Sequence, residues 1–320
     1  MPETERPRLK LVCRSSALPE IVMSDLAAAF DVEFLPADIP VDRLPPADAL
    51  LTTIDAPLGR AEVTALPPSI GAIATYSVGL DHIDLQAAGA RGIHVFNTPG
   101  VLAESVADAA MFLVLGAARR ATESIDLVRG QWPGWHACQL NGVELSGKVL
   151  GLFGMGEIGR RIAVRARAFG MSIIYSALGP VADEAGKALY VDDPERLFAE
   201  SDVMVLVAPA TPETRGFADA RRLATARPGL ILVNVGRGEL VVDDALIDAL
   251  RLGKIRAAAL DVFNGEPAFD RRYLELPNAF LTPHIGSSTI EARRRMAEVL
   301  ISALSLWRQG KRPSNQVVPA

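Results

Sequence analysis

Three side chains combine a chemically useful type with a position just after a short apolar run. Arg237 lies between two glycines in Val233-Asn234-Val235-Gly236-Arg237-Gly238. Glu266 closes Asp261-Val262-Phe263-Asn264-Gly265-Glu266, and His284 sits in Thr282-Pro283-His284-Ile285-Gly286. A guanidinium can grip a carboxylate through two parallel hydrogen bonds, which fixes orientation as well as charge. An imidazole titrates near neutrality and is the commonest proton donor. A carboxylate bonded to it favours the imidazolium and decides which ring nitrogen faces a substrate. Singly, each has a plainer reading: a surface arginine in a turn, a solvated loop acid, a packed histidine. What joins them is that all three follow strand carboxyl ends of one α/β region, where ligands bind in open parallel sheets. His82, His94 and His136 have no such setting and read as packed or surface groups.

The element that would bring a cofactor to this set is residues 149–179. An apolar run, Val149 to Phe153, is followed by Gly154, Gly156 and Gly159 in the spacing G-x-G-x-x-G. Ile158, Ile162, Ala163, Ala166 and Phe169 then recur at helical spacing, and Ile173 to Tyr175 forms a second strand. Strand, tight turn, helix and strand make the dinucleotide-binding βαβ unit. Gly154 permits the turn, Gly156 lets backbone approach a pyrophosphate, and Gly159 lets helix pack on strand. The helix N-terminus offers unpaired N–H groups and a positive dipole end to the anion. A nicotinamide cofactor beside an arginine, a histidine and a carboxylate could transfer hydride to a carbonyl.

Around this unit the chain alternates strands and helices. Leu9–Cys13, Val32–Leu35, Ala49–Thr53, Ala72–Tyr76 and Ile93–Phe96 read as strands, with a helix over Leu18–Phe30. That order predicts a mostly parallel sheet without a phosphate loop. Asn97-Thr98-Pro99-Gly100 breaks the chain, and a long apolar helix is expected over 103–120. The irregular stretch Gly130 to Gly142 holds Trp132 and Trp135. Beyond the dinucleotide unit, strands are expected at 203–207, 230–235, 257–260 and 279–283, with helices near 219–225, over 243–252 and over 289–309. The last helix is expected to return to the first lobe. The expected organisation is α/β with two doubly wound parallel-sheet lobes: residues 1–100 plus 284–320 for substrate, and 101–283 for NAD(P). A cleft between lobes would set substrate beside cofactor.

Composition narrows the function classes. With a net charge of −5 and no basic tail, nucleic acid is not an expected partner. The longest charge-free apolar run, Ala109 to Ala118, is half a membrane span, and no signal-peptide core is visible, so no membrane partner is expected. The two cysteines, Cys13 and Cys138, form no metal spacing or disulfide framework, and a reducing cytoplasm is the default.

The segments SVGLDHID (77–84), NTPGVLAESVAD (97–108), GLFGMGEIG (151–159), NVGRGELVVDDAL (234–246), LDVFNGEP (260–267) and TPHIGSST (282–289) resemble the D-2-hydroxyacid dehydrogenase family over almost the whole chain. Within it the chain looks most like the glyoxylate/hydroxypyruvate reductases. The resemblance implies a flavodoxin-like substrate lobe and a Rossmann lobe, usually in a homodimer. It implies Arg237, Glu266 and His284 as the catalytic set, with His284 the proton donor as hydride reaches C2 of a small 2-oxo acid. Backbone N–H groups of Val78 and Gly79 would take the substrate carboxylate. Glu157 and Ile158 would lie at the cofactor pyrophosphate, and Val235, Asp261 and Gly286 along the cofactor. Thr53 and Trp135 are candidates for lining the substrate pocket.

One position departs from the NAD-specific pattern. Tyr175-Ser176-Ala177-Leu178-Gly179 carries no acid to hold both ribose hydroxyls or to repel a 2′-phosphate, so NADP(H) is slightly favoured over NAD(H). It also lacks an arginine for that phosphate; Ser176 could bond either cofactor, and Arg160 or Lys187 could approach. Phosphoglycerate dehydrogenase and hydroxyphenylpyruvate reductase are the enzymatic alternatives, and a nicotinamide-sensing binding protein is the alternative of another class.

Overall fold

The computed structural model describes residues 8–15, 17–181 and 187–317. Its first strands and helices are β1 Lys10–Arg14, α1 Glu20–Ala29, β2 Asp31–Leu35, β3 Ala49–Thr52, α2 Arg60–Ala65, β4 Ala72–Thr75, α3 Leu85–Ala90 and β5 His94–Phe96. Then come α4 Ala103–Ala118, α5 Ala121–Arg129, β6 Val149–Phe153, α6 Glu157–Ala168, β7 Ser172–Ser176, β8 Leu189–Tyr190, α7 Pro194–Glu200 and β9 Val203–Leu206. The chain ends with α8 Ala220–Thr225, β10 Ile231–Asn234, α9 Asp243–Arg251, β11 Ala257–Leu260, β12 Ala279–Leu281, α10 Ile290–Arg308 and β13 Gln316–Val317. Contacts divide these into one unit of Met1–Leu102 with Ser288–Ala320 and a second of Ala103–Ser287. Residues 284–287, expected with the first lobe, therefore cluster with the second, because the turn after β12 is bonded to β11.

The first unit holds a six-stranded sheet in the order β13-β5-β4-β3-β1-β2. All pairs are parallel except β13 with β5. The strands read as continuous apolar runs because both faces are covered. Leu11, Leu51 and Ala74 face α1 and α10 with Val22, Leu26, Met296, Leu300 and Leu304. Val12, Leu50 and Ile73 face the opposite cluster with Val63 and Ile83. Apart from β13 this is the flavodoxin-like order, whose switch point lies where β1 leaves β3.

The second unit is an all-parallel seven-stranded sheet in the order β12-β11-β10-β9-β6-β7-β8. The order reverses between β6 and β9, which is the dinucleotide-binding crossover of a doubly wound sheet. The helix expected over 103–120 is α4, which stops at Ala118; Arg120 then takes a left-handed backbone with φ 56°, and a further helix that was not expected, α5, follows. The apolar run ends at 118, and the amphipathic 121–129 segment takes a new direction. None of its residues is buried.

Candidate active site

Arg237, Glu266 and His284 leave the second sheet at the carboxyl ends of three adjacent strands. Asn234 of β10 pairs with Leu260 of β11, which pairs with Leu281 of β12, so the three exits are level. Each loop is then tied down by a buried polar residue at its strand end. Asn234 is fully buried; its Oδ1 accepts the Gly236 N–H at 3.1 Å and its Nδ2 donates to the Arg237 carbonyl at 2.8 Å. Gly238 completes the turn, where a Cβ would overlap the Phe263 main chain of the neighbouring loop. The Arg237 guanidinium donates to the Gly236 carbonyl at 2.8 Å and stays half-buried.

Asp261, 2% exposed, organises the turn that carries His284. Its carbonyl accepts the His284 N–H at 2.8 Å. Its carboxylate accepts the Thr282 hydroxyl at 2.6 Å, the Ile285 N–H at 2.9 Å and the Gly286 N–H at 2.8 Å. These bonds hold His284 at φ 53°, a left-handed conformation rarely tolerated by a residue other than glycine. Such strain costs on the order of 1–3 kcal/mol and persists where surrounding bonds over-determine it, often at functional sites. Asp261 and Gly286, expected along the cofactor, are thus bonded to each other, with all the donors on this carboxylate coming from one turn.

His284 Nδ1 lies 2.7 Å from Glu266 Oε1. An ionised Glu266 only accepts, so Nδ1 carries a proton and Nε2 is the nitrogen left to face a substrate. The bond to Glu266 raises the His284 pKa above its ordinary 6.5; burial opposes the rise, as does the positive charge of Arg237. The arginine is therefore within electrostatic reach of the ring, and the three residues form one constellation able to bind an anion and donate a proton.

The glycine loop stands at the carboxyl end of β6. Gly154 takes φ 110°, closed to other residues, and its N–H donates to the Ser176 carbonyl at 2.8 Å. At Gly159 a Cβ would overlap the Gly154 carbonyl. Gly156 differs: its φ is −70° and a Cβ there would meet nothing within 4 Å. The fold itself makes no demand for glycine at 156, whereas a pyrophosphate lying against the loop would. Glu157 and Ile158 begin α6 directly after it, with N–H groups of the first turn open to an anion. This cradle fits a dinucleotide. Ser176 ends β7 only 6% exposed, and Val235 is 8% exposed beside the Arg237 loop. Arg160 donates to the Met155 carbonyl at 3.3 Å, which keeps it over the glycine loop.

In the first unit, the loop after β4 has three successive carbonyls engaged in hydrogen bonds. The Ser77 carbonyl accepts the Thr98 N–H at 3.0 Å, the Val78 carbonyl accepts Asn97 Nδ2 at 2.9 Å, and the Gly79 carbonyl accepts the Ser77 hydroxyl at 2.7 Å. In a trans peptide the N–H points opposite to the C=O. The N–H groups of Val78, Gly79 and Leu80 are therefore turned the other way, and none has a hydrogen-bond partner among the described residues. Successive N–H groups left without partners can form a nest able to bind an anion. Thr53 is 7% exposed and its hydroxyl donates to Asp55. Trp132 and Trp135 are 54% and 81% exposed on the segment after α5.

Sequence reasoning missed the holding roles: Asn234 beneath the Arg237 loop, Asp261, expected only along the cofactor, beneath the His284 turn, and Asn97 and Thr98 beneath the Ser77–Leu80 loop. The signal was present, since each is a polar residue at the end of an apolar run.

The chain matches the model of the D-isomer specific 2-hydroxyacid dehydrogenase NAD binding domain over residues 111–286, more than half its length. It is 42% identical over 289 residues to a glyoxylate reductase of Thermococcus litoralis, covering 88% of this chain and 87% of the relative. It is 39% identical over 290 residues to a glycerate dehydrogenase of Hyphomicrobium methylovorum, covering 88% and 90%. A solved structure of the NADPH-dependent glyoxylate/hydroxypyruvate reductase from Sinorhizobium meliloti, in complex with NADP and malonate, is similar at a TM-score of 0.86 and 31% identity, covering 98% of each chain.

Proposed function

The chain belongs to the D-isomer specific 2-hydroxyacid dehydrogenase family, and we propose that it works as a glyoxylate reductase that also takes hydroxypyruvate. It is an NAD(P)-dependent oxidoreductase that reduces small 2-oxo acids to D-2-hydroxy acids. The observation that carries this reading is the His284–Glu266 pair, held beside Arg237 at the carboxyl ends of β10, β11 and β12. The phosphoglycerate, hydroxyphenylpyruvate and nicotinamide-sensing alternatives are less favoured.

When bound, a nicotinamide cofactor would supply the hydride for C2. Arg237 binds the substrate carboxylate and carbonyl oxygen, and polarises that carbonyl. His284 gives the proton from Nε2 to the oxygen as charge develops on it, while Glu266 keeps the ring protonated and aligned. Val78 and Gly79 offer N–H groups to the carboxylate. Gly154, Gly156, Glu157, Ile158 and Gly159 would hold the pyrophosphate, and Ser176, Val235, Asp261 and Gly286 would complete the cofactor site. Thr53 and Trp135 are proposed for the pocket wall. NADPH is the preferred cofactor: no acid follows β7 to repel a 2′-phosphate, and the Sinorhizobium relative is NADPH-dependent.

Among the described residues no helix is long and apolar enough to cross a membrane. We place the enzyme in the cytoplasm, a reading supported by Cys13 and Cys138, which are both free thiols. It is proposed to act as a homodimer. Phe112, Ile125, Val128, Trp132 and Trp135 are all more than two-fifths exposed on and after α4 and α5, large apolar side chains that a partner subunit would cover.

The test is initial rates of cofactor oxidation, crossing NADPH and NADH with glyoxylate, hydroxypyruvate, phosphohydroxypyruvate and 4-hydroxyphenylpyruvate. Fast turnover of glyoxylate or hydroxypyruvate with NADPH is expected. Measurable cofactor binding with no turnover of any acid would move the weight to the binding-protein alternative.

Two variants probe single parts of the site. Gly156→Val is expected to weaken NADPH binding, read by fluorescence titration, with an unchanged Tm, since the fold leaves room for the side chain. A lowered Tm would mean the glycine serves folding instead. Glu266→Gln removes the charge that raises the His284 pKa. Reduction needs the imidazolium, so the rate falls as pH rises through the His284 pKa, and in Glu266→Gln that fall moves to lower pH. The same pair favours the folded state fully below about pH 6.5, a contribution lost as pH rises through the raised pKa. A kcat profile that does not move would remove Glu266 from its role.

A further inference from the structure

Beneath the Ser77–Leu80 loop, hydrogen bonds run in one direction. Thr75 Oγ1 lies 2.8 Å from His82 Nε2 and 2.8 Å from Ser77 Oγ, and the Ser77 hydroxyl reaches the Gly79 carbonyl at 2.7 Å. Counting protons settles who donates. A carbonyl only accepts, so the Ser77 proton points at Gly79. Ser77 must then accept from Thr75, which has no second proton to give, and His82 Nε2 must donate to Thr75. Thr75 is fully buried and Ser77 is 4% exposed, so water does not compete for these bonds.

We propose that His82 is a positioning residue for substrate binding: its Nε2–H starts a relay through Thr75 and Ser77 that locks the 79–80 peptide and keeps the Leu80 N–H turned, with those of Val78 and Gly79, toward the substrate carboxylate. The proposal rests on the reading that this loop receives that carboxylate. Such a receptor works because its dipoles are oriented before the anion arrives. Gly79 makes the loop easy to distort, since a glycine peptide can flip at little steric cost. A flip of the 79–80 peptide would present a carbonyl oxygen to the anion in place of an N–H. The Ser77 bond opposes that flip, and the two bonds behind it polarise the Ser77 hydroxyl and hold its rotor. A histidine serving packing alone would need only one main-chain acceptor. This one donates to a hydroxyl pair that ends on the nest. Burial lowers the His82 pKa, so near neutrality the ring carries a single proton, on Nε2.

The test compares His82→Leu, His82→Gln and Thr75→Val in the full-length enzyme. His82→Leu is expected to raise the KM for glyoxylate and the Kd for oxalate about tenfold, the scale of one lost buried hydrogen bond. kcat should fall far less than KM rises, and NADPH affinity should hold. In His82→Gln the side-chain amide can donate from a similar position, and it is expected to recover most of the loss. Thr75→Val should match His82→Leu, and the double variant should be no worse than either single, because the relay fails as a unit. Additive losses, no recovery in His82→Gln, or a lowered Tm without a change in KM would overturn the relay. If Thr75→Val does not fold, the two His82 variants decide. In the wild type, the Gly79 amide resonance is expected to move on oxalate titration. No movement would refute the carboxylate reading itself. Movement combined with unaltered oxalate affinity in His82→Leu would refute the relay alone.

Discussion

His284→Ala is expected to lower kcat for glyoxylate reduction by about 10²–10⁴-fold, the range a positioned general acid contributes, while NADPH binds as before. The separation follows from where the residue sits. Its ring bonds to Glu266 and to no residue of the glycine loop. The turn beneath it is bonded to Asp261 through the main chain of residues 284, 285 and 286, which the substitution leaves in place. Alanine tolerates φ 53° no better than histidine does, so the turn should lose little further stability. Single-turnover rates with NADPH and glyoxylate would measure the chemical step directly. Normal turnover in the variant would end the assignment of His284 as proton donor. A matching loss of cofactor affinity would mean the turn had collapsed and nothing had been learned about the acid. For that reason His284→Asn, whose amide nitrogen can take the place of Nδ1 and keep a bond to Glu266 without a titrating proton, belongs beside it and is expected to be comparably slow.

How much of this was legible beforehand depends on whether a residue's role is local. The G-x-G-x-x-G loop was readable because its first and last glycines answer constraints set by neighbours within a few residues, a left-handed φ at Gly154 and close packing at Gly159, and the spacing then marks Gly156. The parallel sheets followed from apolar runs separated by helices. The helix α5 after Arg120 was not readable, since none of its residues is buried and no side-chain cap marks its start. Arg237, Glu266 and His284 stood out because reactive types after strands are conspicuous. The holding roles of Asn234, and of Asp261, which was read only as a neighbour of the cofactor, were passed over because that work is to accept and donate across 2 to 25 positions of chain, a relation that only the folded register brings together. The same holds for His82, which reads as a packed histidine until its bond to Thr75 shows where the donors lead.

Arg237→Lys is the second large effect, with kcat/KM for glyoxylate expected to drop about 10²–10³-fold, the scale seen when one preorganised donor to a developing oxyanion is removed. The substitution keeps the charge and loses the planar fork. One lysine ammonium cannot place parallel hydrogen bonds on carboxylate and carbonyl together, so the carbonyl is both less polarised and less well aimed. The loop should survive, because Asn234 holds residue 237 by its main-chain carbonyl, and Gly236 and Gly238 are unchanged. Gly238→Ala is the necessary contrast. It leaves the guanidinium intact but drives a methyl group into the Phe263 main chain, so the Arg237 and Glu266 loops must both shift. If the arginine acts through geometry, Arg237→Lys and Gly238→Ala should both lose catalysis, the first at wild-type Tm and the second with a lowered one. If charge alone mattered, Arg237→Lys would turn over glyoxylate nearly as well as the parent enzyme, and the bidentate role would have to be abandoned.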